Sequence, residues 1–127
     1  MCRSFLVVDD SKSMRSAIKR TILRAGFDDL KIFEAKDGKE ALCLIESTPI
    51  DLIITDYNMP EMDGFEFITI LKGKRDYKDI PVLLMTGEIN EDKLEKFKNI
   101  GVNVHIKKDI KPEEIKPILS FTLNKFE

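Results

Sequence analysis

Six residues carry most of the chemical potential of this chain: Asp9, Asp10, Asp56, Thr86, Lys107 and Lys108. Carboxylates gathered in one place repel one another, and a cation relieves the cost. Oxygen donors of this kind suit a hard, octahedral ion that keeps part of its water shell. A cluster of Asp9, Asp10 and Asp56 therefore points to Mg²⁺ more than to Zn²⁺. A carboxylate is also a nucleophile that can take up a phosphoryl group as an acyl phosphate. The oxygens of that group need compensation, which a lysine ammonium and a threonine hydroxyl supply. The chain's single histidine, His105, has no such company in sequence, and a lone histidine is more often a packing or hydrogen-bonding residue than a ligand.

These residues do chemistry together only if the fold brings separate stretches of chain to one edge. The spacing of apolar residues says that it does. Phe5–Val8, Leu30–Phe33, Leu52–Thr55, Val82–Met85 and Val102–Ile106 are short apolar or β-branched runs that read as strands. Between them lie segments of helical period. Met14, Ala17, Ile18, Thr21, Ile22 and Ala25 share one helical face, closed by Gly26. Ala41, Leu42 and Ile45 mark a helix from about Asp37, and Phe65, Ile68 and Leu71 mark another, with Asp63 as its N-cap candidate. Leu94 and Phe97 mark a short charged helix, whose run from Glu91 to Lys98 reads either as a solvated face or as a partner surface. Pro112 suits the first residue of a last helix, with Glu113 and Glu114 in its first turn. Pro117 removes a backbone donor there and predicts a kink or a delayed start.

Strands alternating with helices require parallel pairing through right-handed crossovers. The first, third and fourth strands are continuously apolar, as strands covered on both faces should be. The expectation is an α/β, doubly wound, five-stranded parallel sheet of flavodoxin-like (βα)5 type, filling residues 1–127 as one domain. In such sheets the ligand site lies beyond the carboxyl ends of the strands, where strand order reverses. Asp9-Asp10, Asp56, Thr86-Gly87 and Lys107-Lys108 all stand at such ends.

Composition narrows the function. With 43% apolar residues over 127 positions the chain can bury a real core. A net charge of −2 gives no field that draws nucleic acid, and no residues remain after the fifth helix for a DNA-binding motif. No apolar run approaches a bilayer span, and Phe5–Val8 is too short for a signal-peptide core. The chain reads as cytoplasmic, with Cys2 and Cys43 unpaired.

The segments Phe5-Leu6-Val7-Val8-Asp9-Asp10-Ser11, Asp56-Tyr57-Asn58-Met59-Pro60-Glu61-Met62-Asp63-Gly64 and Met85-Thr86-Gly87-Glu88, with Lys108, resemble response-regulator receiver domains, in particular free-standing chemotaxis regulators. The resemblance spans essentially the whole chain and implies strand order 2-1-3-4-5. It implies that Asp56 accepts a phosphoryl group from a phosphohistidine donor, on a sensor histidine kinase or a histidine phosphotransfer protein. It further implies that Asp10 ligates Mg²⁺ directly, Asp9 directly or through water, and Asn58 through its backbone carbonyl. Thr86 and Lys108 would contact the phosphoryl group, Asn58 and Glu88 would govern water access, and Thr86 with His105 would form the switch. An output protein would bind the face of the fourth helix, fifth strand and fifth helix, the chain being a monomer or a phosphorylation-dependent dimer.

Two positions depart from the family's pattern. Asp109 follows Lys108 where a proline is usual, and a cis bond without proline costs about 2.5–4 kcal/mol, which predicts a trans loop. Lys107 is also available, although parity along the fifth strand favours Lys108 if no bulge intervenes. His105 stands where an aromatic switch residue is common; it reads either as a switch with pH sensitivity or as a surface-edge residue. Two rivals remain. A haloacid-dehalogenase-like phosphatase wants a second Asp two residues after its nucleophile, where this chain has Asn58, and a cap for which there is no room. A non-phosphorylatable interaction domain would keep the acidic site only as a remnant.

Overall fold

The structure is a computed structural model that describes residues 3–27, 29–59, 62–87, 91–102 and 104–125. Its elements run β1 (Arg3–Val8), α1 (Lys12–Arg24), β2 (Leu30–Ala35), α2 (Gly38–Ser47), β3 (Leu52–Asp56), α3 (Gly64–Lys72), β4 (Val82–Thr86), α4 (Glu91–Lys98), β5 (Val104–Lys107) and α5 (Pro112–Lys125). The strands form one parallel sheet of order β2-β1-β3-β4-β5, as expected. The chain winds from β1 outward to β2, then crosses back to build β3, β4 and β5 on the other side. Strand order therefore reverses between β1 and β3.

Each strand alternates its side chains between two cores. Leu6, Val8, Ile53 and Leu84 pack with Ala41, Ile45, Phe67, Ile68, Leu71 and Phe97 of α2, α3 and α4. Phe5, Val7, Leu52, Ile54, Leu83 and Met85 pack with Ile18, Ile22, Ile115, Leu119 and Leu123 of α1 and α5. Covering both faces explains why β1, β3 and β4 are apolar without alternation. Each large side chain so buried contributes about 1.5–3 kcal/mol of transfer free energy.

Helix starts are set by side chains that accept from otherwise unpaired backbone N–H groups. Ser11 accepts from the Met14 amide, Asp37 from that of Glu40 and Asp63 from that of Glu66. Gly26 follows α1 at φ 99°, a left-handed conformation that favours glycine. α5 begins at Pro112 with no delay, so the delayed start predicted for Pro117 does not occur. Pro117 sits inside the helix on its exposed side, where water can satisfy the carbonyl of the exposed Glu113. β5 also begins and ends later than Val102–Ile106: Val102 is buried before the strand, and Lys107 is its last residue. Cys43 is a free, exposed thiol, and Cys2 lies outside the described residues. Among the described residues no helix is long and apolar enough to cross a membrane.

Candidate phosphoacceptor and metal site

The reversal point between β1 and β3 delivers Asp9 and Asp56 side by side. Both are buried, Asp9 at 0% exposure and Asp56 at 2%, whereas Asp10 is exposed. Carboxylate oxygens of Asp9, Asp10 and Asp56 lie within 4.8 Å of one another, an arrangement that can hold a divalent cation. The Ser11 amide donates to Asp9 Oδ1 at 2.8 Å, and Arg15 Nη1 donates to the Asp9 carbonyl at 2.7 Å. Arg15 is in turn paired with Glu34 at 3.1 Å, which ties α1 and β2 to the turn carrying the acidic pair.

Among the described residues, the ammonium of Lys108 reaches this cluster. Lys108 Nζ donates to Asp56 Oδ2 at 2.9 Å and lies 3.7 Å from Asp9 Oδ2. The Lys108 amide donates to the Thr86 carbonyl at 3.2 Å, anchoring the loop after β5 to the end of β4. Lys107, the last residue of β5, is exposed. No cis peptide bond occurs among the described residues, so the Lys108–Asp109 bond is trans, as expected without proline.

The electrostatics follow from crowding and burial. Burial pushes the Asp9 carboxyl above its ordinary value, and the Asp56 charge adds to the push. The Ser11 amide and the Lys108 ammonium pull the other way without reversing it. For Lys108, burial acts to lower the pKa, but the hydrogen bond and charge of Asp56, with the charges of Asp9 and Asp10, raise it above 10.5. Two buried polar atoms lack a hydrogen-bond partner among the described residues: Asp9 Oδ2 and Thr86 Oγ1. A buried orphan of this kind is costly unless a ligand completes it. Asp9 Oδ2 faces the carboxylate cluster and fits a cation. Thr86 lines the cavity that opens over Asp56, and its unpartnered hydroxyl fits an oxyanion there. That cavity, of about 170 Å³, is also lined by Tyr57, Asn58, Gly87, Lys93, Leu94 and Lys108.

The structure thus brings together Asp9, Asp10, Asp56, Thr86 and Lys108, with the Asn58 amide 3.4 Å from Asp56 Oδ1 and its side chain exposed. Glu88 lies outside the described residues. His105 is not at the carboxylate cluster. It is exposed on β5, where it lines an open groove of about 820 Å³ with Glu91, Glu95 and Phe97, and a second groove with Ile110 and Glu114.

Three contributors escape a reading of the sequence. Asp63-Gly64 reads there as a turn and helix start, but Gly64 does more. Its amide donates to the Tyr57 carbonyl at 2.8 Å, and a Cβ at residue 64 would collide with the Asp56 carbonyl oxygen. A glycine at a helix's first position, where propensity disfavours it, was the available signal. Tyr57 packs edge-on to Phe97 of α4 at 5.4 Å, and Lys93 sits over the Tyr57 ring at 4.5 Å. Arg15 is the third. No spacing in the sequence announces either of these cross-element contacts.

Comparison with known proteins agrees with this geometry. The family model described as "Response regulator receiver domain" matches residues 5–120. The chain is 38% identical over 119 residues to a "Chemotaxis protein CheY homolog" of Campylobacter jejuni, covering 93% of this chain and 90% of that protein. It is 35% identical over 119 residues to "Chemotaxis protein CheY1" of Helicobacter pylori, covering 93% and 94%. Among solved structures, Vibrio cholerae chemotaxis protein CheY4 superposes at a TM-score of 0.87 and 34% identity, covering 97% of this chain and 100% of that one. The signal receiver domain of a signal transduction histidine kinase from Syntrophus aciditrophicus superposes at 0.84 and 28% identity, covering 98% and 92%.

Proposed function

This chain belongs to the response-regulator receiver family, and from that premise we propose that it is a phosphorylation-dependent protein switch in which Asp56 is the acceptor and Mg²⁺ the cofactor. The observation that carries the proposal is the buried Asp56 carboxylate, sharing one site with two further aspartates and one lysine ammonium.

The transfer follows from these groups. An Asp56 carboxylate oxygen attacks phosphorus in line, and the bond to the donor nitrogen or oxygen breaks, its electron pair leaving with the donor. Asp9, Asp10, Asp56 and the Asn58 backbone carbonyl would hold Mg²⁺, which would supply charge neutralisation for the phosphoryl oxygens. Lys108, now on Asp56 Oδ2, shifts its ammonium to a phosphoryl oxygen. The Thr86 hydroxyl, buried without a partner, donates to another and so draws the end of β4 toward the site. Positioning and charge carry the step, and the protein supplies little covalent chemistry beyond the nucleophile. The side chain of Asn58, exposed beside the acceptor, and Glu88 govern the approach of hydrolytic water.

The phosphoryl donor is a phosphohistidine on a sensor kinase or histidine phosphotransfer protein. The switch runs from Thr86 through β4 to His105, whose exposed ring borders α4 on one side and α5 on the other. Phosphorylation shifts an existing equilibrium between two arrangements of this side, and an output protein reads the α4–β5–α5 face. Residues 1–127 then act in the cytoplasm as one receiver domain, as a monomer or a phosphorylation-dependent dimer. A receiver is a phosphoacceptor and not a turnover enzyme, which leaves no role for the haloacid-dehalogenase-like alternative. The partnered Lys108 and the orphaned Thr86 hydroxyl speak against a merely residual site. The test is Asp56→Asn. Wild type should take up phosphate from acetyl phosphate only with Mg²⁺, and the variant should take up none; equal labelling of the variant would overturn the proposal.

A further inference from the structure

The cavity over Asp56 has a second cation on its wall. Lys108 enters from the loop after β5, and Lys93 enters from α4. Lys93 is not held like an ordinary surface lysine. Its ammonium lies 4.5 Å from the centre of the Tyr57 ring, and that ring is stacked edge-on against Phe97, which is 1% exposed. A cation over an aromatic face gains attraction from the ring's charge distribution. The contact therefore fixes Lys93 to the residue that follows the acceptor. Lys96 makes the same kind of contact with Phe65 at 4.1 Å but is not among the described residues lining the cavity.

We infer that Lys93 recognises small phosphodonors whose leaving group departs as an anion, acyl phosphates being the class. The inference rests on Asp56 as acceptor. In-line attack from Asp56 places the leaving group on the far side of phosphorus, toward the cavity mouth. Lys93 both lines the cavity and is exposed, so it stands at that mouth. With acetyl phosphate, the Asp56 oxygen bonds to phosphorus, the P–O bond to the acetyl oxygen breaks, and its electron pair leaves as acetate. No proton is exchanged. With phosphoramidate in its N-protonated form, the P–N bond breaks and the nitrogen, already bearing three hydrogens, leaves as neutral ammonia. In a loose transition state the leaving atom only sheds its positive charge in the second case, whereas in the first it becomes net negative. A fixed ammonium at the mouth stabilises that charge and speeds acyl phosphates selectively.

The test uses the full chain with Mg²⁺ and measures second-order rate constants for phosphorylation with both donors. Lys93→Gln should slow acetyl phosphate about tenfold, the low end of what a focused field supplies, and phosphoramidate no more than about twofold. Lys93→Arg should restore the preference, and Lys96→Gln should leave it unchanged. Equal losses with both donors, or no loss with acetyl phosphate, would overturn the inference. A second measurement needs no variant. Raising ionic strength from about 0.01 M to about 1 M shortens the screening length from about 30 Å to about 3 Å and should lower the acetyl phosphate to phosphoramidate rate ratio. A ratio indifferent to salt overturns the inference as well. Label at Asp56 with an unchanged donor ratio overturns this inference alone, whereas absence of label at Asp56 overturns the acceptor reading with it.

Discussion

Lys108 and Asp56, 52 residues apart in the chain, meet as a 2.9 Å ion pair at the carboxyl edge of the sheet. The pair occupies the oxygen that a phosphoryl group or a metal would also use. Lys108 therefore has two opposed effects, and they separate in one variant. Lys108→Ala removes a positive charge beside the carboxylates, so Mg²⁺ should bind more tightly. It also removes a donor for the transferring oxygens, so phosphorylation should slow by about 10²-fold. A Mg²⁺ titration and a single-turnover phosphorylation assay read the two effects independently. The chain has no tryptophan and two tyrosines, so emission from Tyr57, beside Asp56, can report the titration.

Asp9 gives a prediction with a definite sign. Its folded pKa is raised above the ordinary 3.8, mainly by burial. The fold thus prefers the protonated form. The stability this preference contributes is fully present below about pH 3.8 and is lost as pH rises through the raised folded value. Above that raised value the ionised Asp9 burdens the metal-free protein. Asp9→Asn should raise the metal-free Tm by roughly 3–5 °C, the shift that about 1 kcal/mol produces in a domain of this size. The same variant should lose the stabilisation that Mg²⁺ gives wild type. Thermal denaturation with Mg²⁺ and with a chelator checks both halves.

Gly64 is constrained by the backbone of Asp56 and Tyr57. A methyl group there would collide with the Asp56 carbonyl oxygen, and backbone cannot swing aside as a side chain can. Gly64→Ala should destabilise by about 1–3 kcal/mol, as overpacking usually does. It should also slow phosphorylation, because relief of the clash shifts the segment that aims Asp56. Chemical denaturation and the phosphorylation rate together separate this from a loss of stability alone: the rate should stay low under conditions where the variant is fully folded.

Much of this was legible in the sequence, and the reasons are physical. Phe5–Val8 and Leu52–Thr55 announce themselves because strands buried on both faces must be apolar throughout, and Asp9 and Asp56 stand out because a carboxylate ends each run. Asp37 and Asp63 were readable as helix starts because capping is local. Lys108 could be preferred to Lys107 by parity, but only the three-dimensional loop puts its ammonium on Asp56. Pro117 left a kink or a delayed start open, and the start is not delayed because a helix tolerates a missing donor on its wet side. Tyr57, Phe97 and Lys93 were invisible as a unit because their contacts join α4 to the loop after β3, and no period along the chain encodes such a meeting.

The central claim is that Asp56, and no other carboxylate of the cluster, receives the phosphoryl group. Borohydride reduces an aspartyl phosphate to homoserine, which mass spectrometry places by residue. After treatment with acetyl phosphate and Mg²⁺, the conversion should appear at Asp56 alone and vanish when Mg²⁺ is chelated. Homoserine at Asp9 or Asp10, or none at Asp56 under conditions where the protein binds Mg²⁺, would contradict it.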